Sequence, residues 1–311
     1  FGVYVTSPDY LGGVQELPAL AAVCRAQDVP LLVDNAHGAY LRFLPQNCHP
    51  IAQGAAMCCD SAHKTLPVVT GGAYLHLAHD APVQDEAAVR GALALFGSTS
   101  PSYLILQSLD ACNAVLEGDY PRRLVQCCAA LEGLRRSLNK AAAARQCPVP
   151  LAVAGAQQEP MKLTLDAAAL GCTGTALAEA MRRAQMECEY ADPRYVVLMF
   201  TPENPPQDYT RLQTVLEQLL AAVPAGLSRP ENRAGEFAAL QQQAVQCCTI
   251  RQAVLGAQVR IPVHKALGRV CAMPTVSCPP AIPVAVSGEE ITPAAIVLMQ
   301  RYGIEELSVL R

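Results

Sequence analysis

Val29-Pro30-Leu31-Leu32-Val33-Asp34-Asn35-Ala36-His37-Gly38 begins as a short apolar run and ends in a polar cluster. A continuous run of that kind marks a strand buried on both faces, as in parallel sheets. Ala55 to Cys59 is a second run and Ala73 to Leu77 a third, and residues 1–7 are strand-like up to Thr6-Ser7-Pro8. Between the first two strands, residues 14–27 place Leu17, Leu20, Ala21 and Cys24 on one side of a helix. Strands alternating with helices predict an α/β fold with a mostly parallel sheet. Ligands in such sheets gather at the carboxyl ends of strands. Ser7, Asp34 and the segment Ser61 to Lys64 each follow a strand, so these polar clusters are expected to share one site.

The chemistry of that site is read from two motifs. An Asp at a buried strand end is costly unless a cation meets it. The protonated pyridine nitrogen of pyridoxal phosphate (PLP) would do so, and Asp34 would keep that ring an electron sink. Ala36 is small enough for a flat ring to lie against it, and His37 is placed to stack on or hydrogen-bond the cofactor. The competing reading is an Asp that caps the next helix. In Ser61-Ala62-His63-Lys64-Thr65, a lysine just past an apolar strand is desolvated, which favours imine formation. Ser61 and His63 alternate with Ala62 and are both candidates for a phosphate. The competing reading is a solvated loop lysine. Together, in this order and each after a buried strand, the motifs point to PLP held by Lys64 as a Schiff base.

Composition narrows the alternatives. Hydrophobic residues make up 51% and charged residues 16%, which excludes wholesale disorder. Aromatics are 5% with no Trp, so the core must rest on Ala, Val and Leu. The net charge of −4 offers no basic surface for nucleic acid or an anionic membrane. The longest apolar runs fall short of the roughly 18 residues a membrane helix needs. The chain opens at Phe1 directly into a strand, and is expected to be a fragment that starts inside a domain. The 14 cysteines include the adjacent pairs Cys58-Cys59, Cys127-Cys128 and Cys247-Cys248 but no C-x-x-C spacing. No metal site is therefore expected, and the thiols read as small apolar residues of a reducing cytoplasm.

Downstream, the pattern from Pro101 to Ala144 is helical, with Arg122, Arg123, Glu132, Arg135, Arg136 and Lys140 on one side. A long helix here is expected to bridge to a second domain. Residues 149–225 read as a smaller α+β unit: strand-like alternation at Leu163 and Leu165, a helix over Ala176 to Gln185, a strand over Tyr195 to Phe200 and a helix over Tyr209 to Ala222. Gly226 to Gly235 reads as a linker. The last segment carries its own helix, then Cys278-Pro279-Pro280-Ala281-Ile282-Pro283 and Ser287-Gly288-Glu289-Glu290-Ile291-Thr292.

These motifs resemble those of the PLP-dependent ornithine/lysine/arginine decarboxylases, which have the aspartate aminotransferase fold. Thr6-Ser7-Pro8-Asp9-Tyr10 resembles the family's T-x-P-x-Y-Y-G, Val33 to Gly38 its V-D-E-A-H-G, and Ser61 to Leu66 its S-x-H-K-T-L. Ser98-Thr99-Ser100-Pro101-Ser102-Tyr103 with Ser108-Leu109-Asp110 resembles T-T-S-P-S-Y with S-L-D. Pro279 to Pro283 and Gly288 to Thr292 resemble the P-P-G-I-P and G-E-x-I-T of a C-terminal domain that plain aminotransferases lack. Asn35 stands where the family often has Glu, Gly71 where Gln is usual, Cys278 where Tyr is common and Ala281 where Gly is.

The resemblance implies a fold type I PLP-dependent transferase large domain, incomplete at its N-terminus (1–145), a small α+β domain (146–225) and a decarboxylase-type C-terminal domain (226–311). It implies Lys64 as the Schiff-base lysine, Asp34 on the pyridine nitrogen, and Ser61 and His63 on the phosphate. Thr99, with Ser98, would reach the phosphate of a neighbouring subunit in a homodimer or higher oligomer with shared sites. His37 would sit by the ring. Glu187 and Glu189 are candidates for the substrate's distal cation, with exposed surface acids as the competing reading. The family has further chain upstream, with a Gly/Ser/Thr phosphate loop and a ring-stacking residue. The implied activity is decarboxylation of Arg, Lys or Orn to a polyamine-type amine and CO2. The alternatives are another fold type I activity, aminotransferase or lyase, and a non-catalytic fragment acting in dimerisation.

Overall fold

In the computed structural model, which describes residues 2–98, 100–151, 158–224, 227, 240, 242–277 and 282–311, the first four strands form one sheet in the order β1-β2-β3-β4. These are β1 (Val3–Thr6), β2 (Leu31–Asp34), β3 (Met57–Asp60) and β4 (Tyr74–Leu77). β1 pairs in parallel with β2, and β2 with β3. Helix α1 (Leu17–Ala26) makes the first crossover, and its Leu17, Ala21 and Cys24 pack on Leu31, Val33 and Cys58. The parallel arrangement read from sequence therefore holds through β3, although only the 3-10 turns Ala39–Phe43 and Pro50–Gln53 join β2 to β3.

β4 departs from the expected parallel arrangement, running antiparallel to β3. The connection carries only the one-turn helix α2 (Ala62–Thr65) and a turn. With no full crossover helix, the chain doubles back beside the strand it has just left.

The helical stretch after Pro101 is two helices where one was expected: α4 (Tyr103–Glu117) and α5 (Tyr120–Ala144). Helix α3 (Glu86–Phe96) precedes them. Gly118 ends α4, and Pro121 falls in the first turn of α5, the one helical position that tolerates a residue without an N–H. α5 buries Leu124, Leu131, Leu134 and Leu138 at helical spacing. They share a core with Leu212, Leu216 and Leu220 of α7 (Pro206–Ala222) and with Leu163 and Leu165 of β5 (Lys162–Asp166). The antiparallel sheet there has the order β5-β7-β6, with β6 (Tyr190–Ala191) and β7 (Tyr195–Met199), and α6 (Gly174–Arg183) packs on it.

A separate core surrounds Val263, Cys271, Ile291, Leu298 and Val309. It is framed by α8 (Ile250–Leu255), the antiparallel pair β8 (Gln258–Pro262) and β11 (Glu306–Leu310), the pair β9 (Thr275–Ser277) and β10 (Ile282–Ala285), and α9 (Pro293–Arg301). Thr292 caps α9, accepting from the Ala295 N–H. Most of the expected 226–235 linker, and Cys278 to Ala281 of the proline-rich run, lie outside the described residues. All cysteines among the described residues are free thiols, and no helix among them is long and apolar enough to cross a membrane.

Candidate active site

Parallel register brings the polar strand ends together. Thr6 lies opposite Asp34 and Asp34 opposite Cys59. The Ser7 N–H donates to the Asp34 carbonyl at 2.9 Å, and the Asn35 N–H to the Cys59 carbonyl at 2.9 Å. The turns that follow β1, β2 and β3 thus stand side by side.

Lys64 and His37 meet there, with Nζ 3.4 Å from Nε2. His37 is 4% exposed. Burial, then the cations Lys162 and Lys64, push its pKa down to about 3, so the ring is neutral at physiological pH. A neutral ring facing the Lys64 ammonium accepts at Nε2 and carries its proton on Nδ1. That buried Nδ1 has no hydrogen-bond partner among the described residues. The edge of His37 meets the Tyr10 ring at a centroid distance of 5.0 Å.

Asp34 is half-buried. Its Oδ1 accepts from the Ala36 N–H at 3.0 Å and its Oδ2 from the Tyr4 hydroxyl at 3.3 Å. Asp34 therefore closes its own turn and does not cap the next helix, whose N-cap is Gly38, and both of its donors are neutral. Ser61 stands at the N-cap of α2 with no side-chain cap bond. The His63 Nδ1 donates to the Gly72 carbonyl at 2.9 Å, beside the His63 backbone N–H on the same oxygen at 3.2 Å. Its Nε2 can donate to a phosphate only as imidazolium. The residues present fit a flat cofactor with a cationic ring nitrogen. Among the described residues Asp34 has no cationic partner and the buried Nδ1 of His37 has none at all, and the Ser61 hydroxyl is not spent on its own helix.

The other expected residues divide. Glu189 accepts from the Tyr10 hydroxyl at 2.9 Å and so joins the His37 cluster. Glu187 does not: Arg182 holds it at 3.0 Å on the end of α6. Ser98 is exposed beyond α3, accepting from the Ser100 N–H at 3.1 Å. Thr99 lies outside the described residues.

Sequence reasoning missed Lys162. It is 1% exposed, with Nζ donating to the carbonyls of Asp9 and Tyr10 at 3.1 Å each. Burial pushes its ammonium down to about 8, against the raising pull of Glu159, Asp9 and Glu189. Burial also raises the pKa of Glu159, which accepts from the Tyr40 hydroxyl and from the Met161 N–H at 2.9 Å. Thr164 donates to the Leu11 carbonyl at 2.6 Å. Lys162 and Thr164 thereby tie the Asp9–Leu11 turn to β5 and hold Tyr10 against His37. In sequence they read as the polar side of an alternating strand, but every residue of β5 is buried.

Comparison with known proteins places these features. The description "Orn/Lys/Arg decarboxylase, major domain" matches residues 2–158. The chain is 28% identical over 310 residues to the uncharacterized protein YaaO of Bacillus subtilis, covering 96% of this chain and 61% of that protein. It is 27% identical over 299 residues to the arginine decarboxylase of the same organism, covering 94% and 59%. It therefore spans about three fifths of the length of these relatives. The Francisella novicida lysine decarboxylase LdcF has the same fold, with a TM-score of 0.73 at 18% identity over 99% of this chain and 57% of that one.

Proposed function

The chain belongs to the Orn/Lys/Arg decarboxylase family, and on that premise we propose that the whole protein uses PLP to remove the α-carboxyl group of arginine, lysine or ornithine as CO2. The observation that carries this reading is the convergence of Lys64, His37 and Asp34 at the ends of adjacent parallel strands.

Lys64 is the residue that holds the cofactor covalently, and Asp34 pairs with its pyridine nitrogen. Ser61 and His63 bind the phosphate, joined by Ser98 and Thr99 from a neighbouring subunit. Ala36 leaves room for the ring. When bound, PLP supplies the conjugated electron sink that takes up the pair left by departing CO2. Asp34, as a carboxylate, keeps a proton on the ring nitrogen. His37 stays neutral, so it orders Lys64 without adding a second positive charge. With a substrate bound, Lys64 would carry on Nζ the proton delivered to the substrate α-carbon. Glu189, held by Tyr10 beside His37, offers a carboxylate to the distal cation of a basic substrate.

Assembly as a cytoplasmic homodimer with shared sites fits the surface of α3, which buries none of its residues. Phe96 is 92% exposed, and Leu95, Tyr103 and Leu104 beside it are also exposed. An apolar group of this kind next to Ser98 marks an interaction surface. The reading also divides the chain into a PLP-binding large-domain part (1–145), a small domain (146–225) and a C-terminal decarboxylase-type domain (226–311).

The test is CO2 release from arginine, lysine and ornithine by the full-length protein, with Lys64→Ala as control. One of the three substrates is expected to release CO2, and Lys64→Ala to abolish release. Turnover surviving in Lys64→Ala overturns the lysine assignment, and α-keto acid formation in place of CO2 overturns the reaction type.

A further inference from the structure

A second constellation lies on the other face of the same sheet. Side chains alternate along a strand. Asp34 and Cys59 share one face, so Cys58 and Asp60 point to the opposite one, where His76 of β4 lies across from Cys58. His49, just before the turn Pro50–Gln53, enters the same space. A cavity of about 420 Å³ opens beside them, lined by Asn47, His49, Asp60, Tyr74 and His76 among others.

His49, Cys58 and Asp60 are all buried, and their potential ligand atoms lie within 4.8 Å of one another. The His49 Nε2 is 3.1 Å from Asp60 Oδ2. The Cys58 Sγ is 3.7 Å from that Nε2 and 4.0 Å from Asp60 Oδ1. Tetrahedral zinc with ordinary bond lengths separates sulfur from nitrogen by about 3.6 Å and nitrogen from oxygen by about 3.3 Å. The sulfur–nitrogen and nitrogen–oxygen separations found here lie within about 0.2 Å of those edges, and the sulfur stands somewhat farther from the carboxylate.

Two further features favour an ion over a plain hydrogen-bond network. Asn35 Nδ2 donates to Asp60 Oδ1 at 2.7 Å and so turns Oδ2 toward the histidines, as outer partners of metal-binding carboxylates do. The His76 Nε2 lies 3.0 Å from the same Oδ2. The Cys58 thiol adds its own contacts to this buried group, 3.7 Å from His49 Nε2 and 4.0 Å from Asp60 Oδ1. Zinc(II) bound to one thiolate, one carboxylate and a neutral imidazole is electrically neutral as a unit, which suits a buried site.

We propose that His49, Cys58 and Asp60 form a zinc(II) site whose fourth position, beside His76, faces the cavity and takes a water. Binding exchanges the Cys58 thiol proton for the metal, and the proton leaves to solvent. The sequence shows no such site, because His49 comes from a loop while Cys58 and Asp60 are two apart on a strand, and no zinc-ligand spacing results. The assignment is independent of the PLP reading. It does place the ion directly behind both cofactor-binding turns, since Asn35 follows Asp34 and Ser61 follows Asp60.

Cobalt(II) titration of the metal-free, reduced chain is the test, followed by displacement with zinc. One equivalent is expected to bind with the intense visible bands of tetrahedral cobalt and a thiolate charge-transfer band. Cys58→Ser is expected to lose the thiolate band, and Asn35→Ala to weaken affinity by about 10- to 100-fold. If Cys58→Ser does not fold, X-ray absorption at the zinc edge of the native chain decides the matter. One sulfur among nitrogen and oxygen neighbours supports the site. A sulfur-free shell, a weak octahedral cobalt spectrum, or a thiolate band that persists in Cys58→Ser overturns it.

Discussion

The Nζ of Lys64 lies 3.4 Å from the Nε2 of His37, and this contact joins two turns that are distant in sequence. It works because His37 is too deeply buried to be protonated. An imidazolium at that place would repel the lysine and change which protons the site can move.

His37 should make stability depend on pH. Its folded pKa, about 3, lies below the ordinary value of 6.5. Between those values the unfolded chain binds the extra proton, so stability is fully present above about pH 6.5 and falls as the pH drops. From pH 7 to pH 5 the loss is about 2 kcal/mol. Urea unfolding of the native chain and of His37→Gln at both pH values measures it, and the variant should lack that component.

Glu189→Gln should act on substrate binding. The carboxylate stands with Tyr10 beside His37, and losing one charge-assisted contact costs about 1.5–3 kcal/mol. In the full-length protein KM for the basic amino acid should rise about 10- to 100-fold, with a smaller change in kcat. Glu187→Gln, on the pair with Arg182, should leave both near native values. Steady-state kinetics on the two variants makes the comparison.

Lys162→Met removes a buried ammonium that bonds two carbonyls of the Asp9–Leu11 turn. Those carbonyls lose their charged donor, and buried Glu159 loses a compensating charge. A destabilisation of about 2–4 kcal/mol is expected, read from the urea midpoint. The Tyr10 ring should also loosen from His37, visible as faster hydrogen exchange in the Asp9–Gly13 turn.

Gly38→Ala tests the packing of the Asp34 turn. A Cβ there would sit 2.8 Å from Pro8 Cδ and closer still to Asn35 Oδ1. Asn35 would have to move, breaking its bond to Asp60. The cost should be about 1–3 kcal/mol, measured by denaturant unfolding.

The strand ends that make up the candidate site were legible in sequence because their signals are local. An apolar run followed by Asp34 or by Ser61 to Lys64 names both the strand and the strand end, and parallel pairing puts such ends together. Glu187 and Glu189 were not separable, since two acids one residue apart in an exposed segment carry the same local signal. Arg182 and Tyr10 divided them, and both partners come from other parts of the fold. Lys162 was hidden for a related reason. A lysine between apolar strand residues reads as solvent-facing, and only the docking of the Asp9–Leu11 turn on β5 turns that face into interior.

By itself, then, the sequence determined the α/β alternation, the family resemblance, and the placing of Asp34 and Lys64 at strand ends, because strand patterning and strand-end residues are encoded within a few neighbours. The tertiary structure alone decided the direction of β4, the break at Gly118, the burial of Lys162 and the meeting of His49, Cys58 and Asp60 behind the sheet. These depend on which distant surfaces exclude water from one another, and burial sets both the charge state of His37 and the partners left to each polar group.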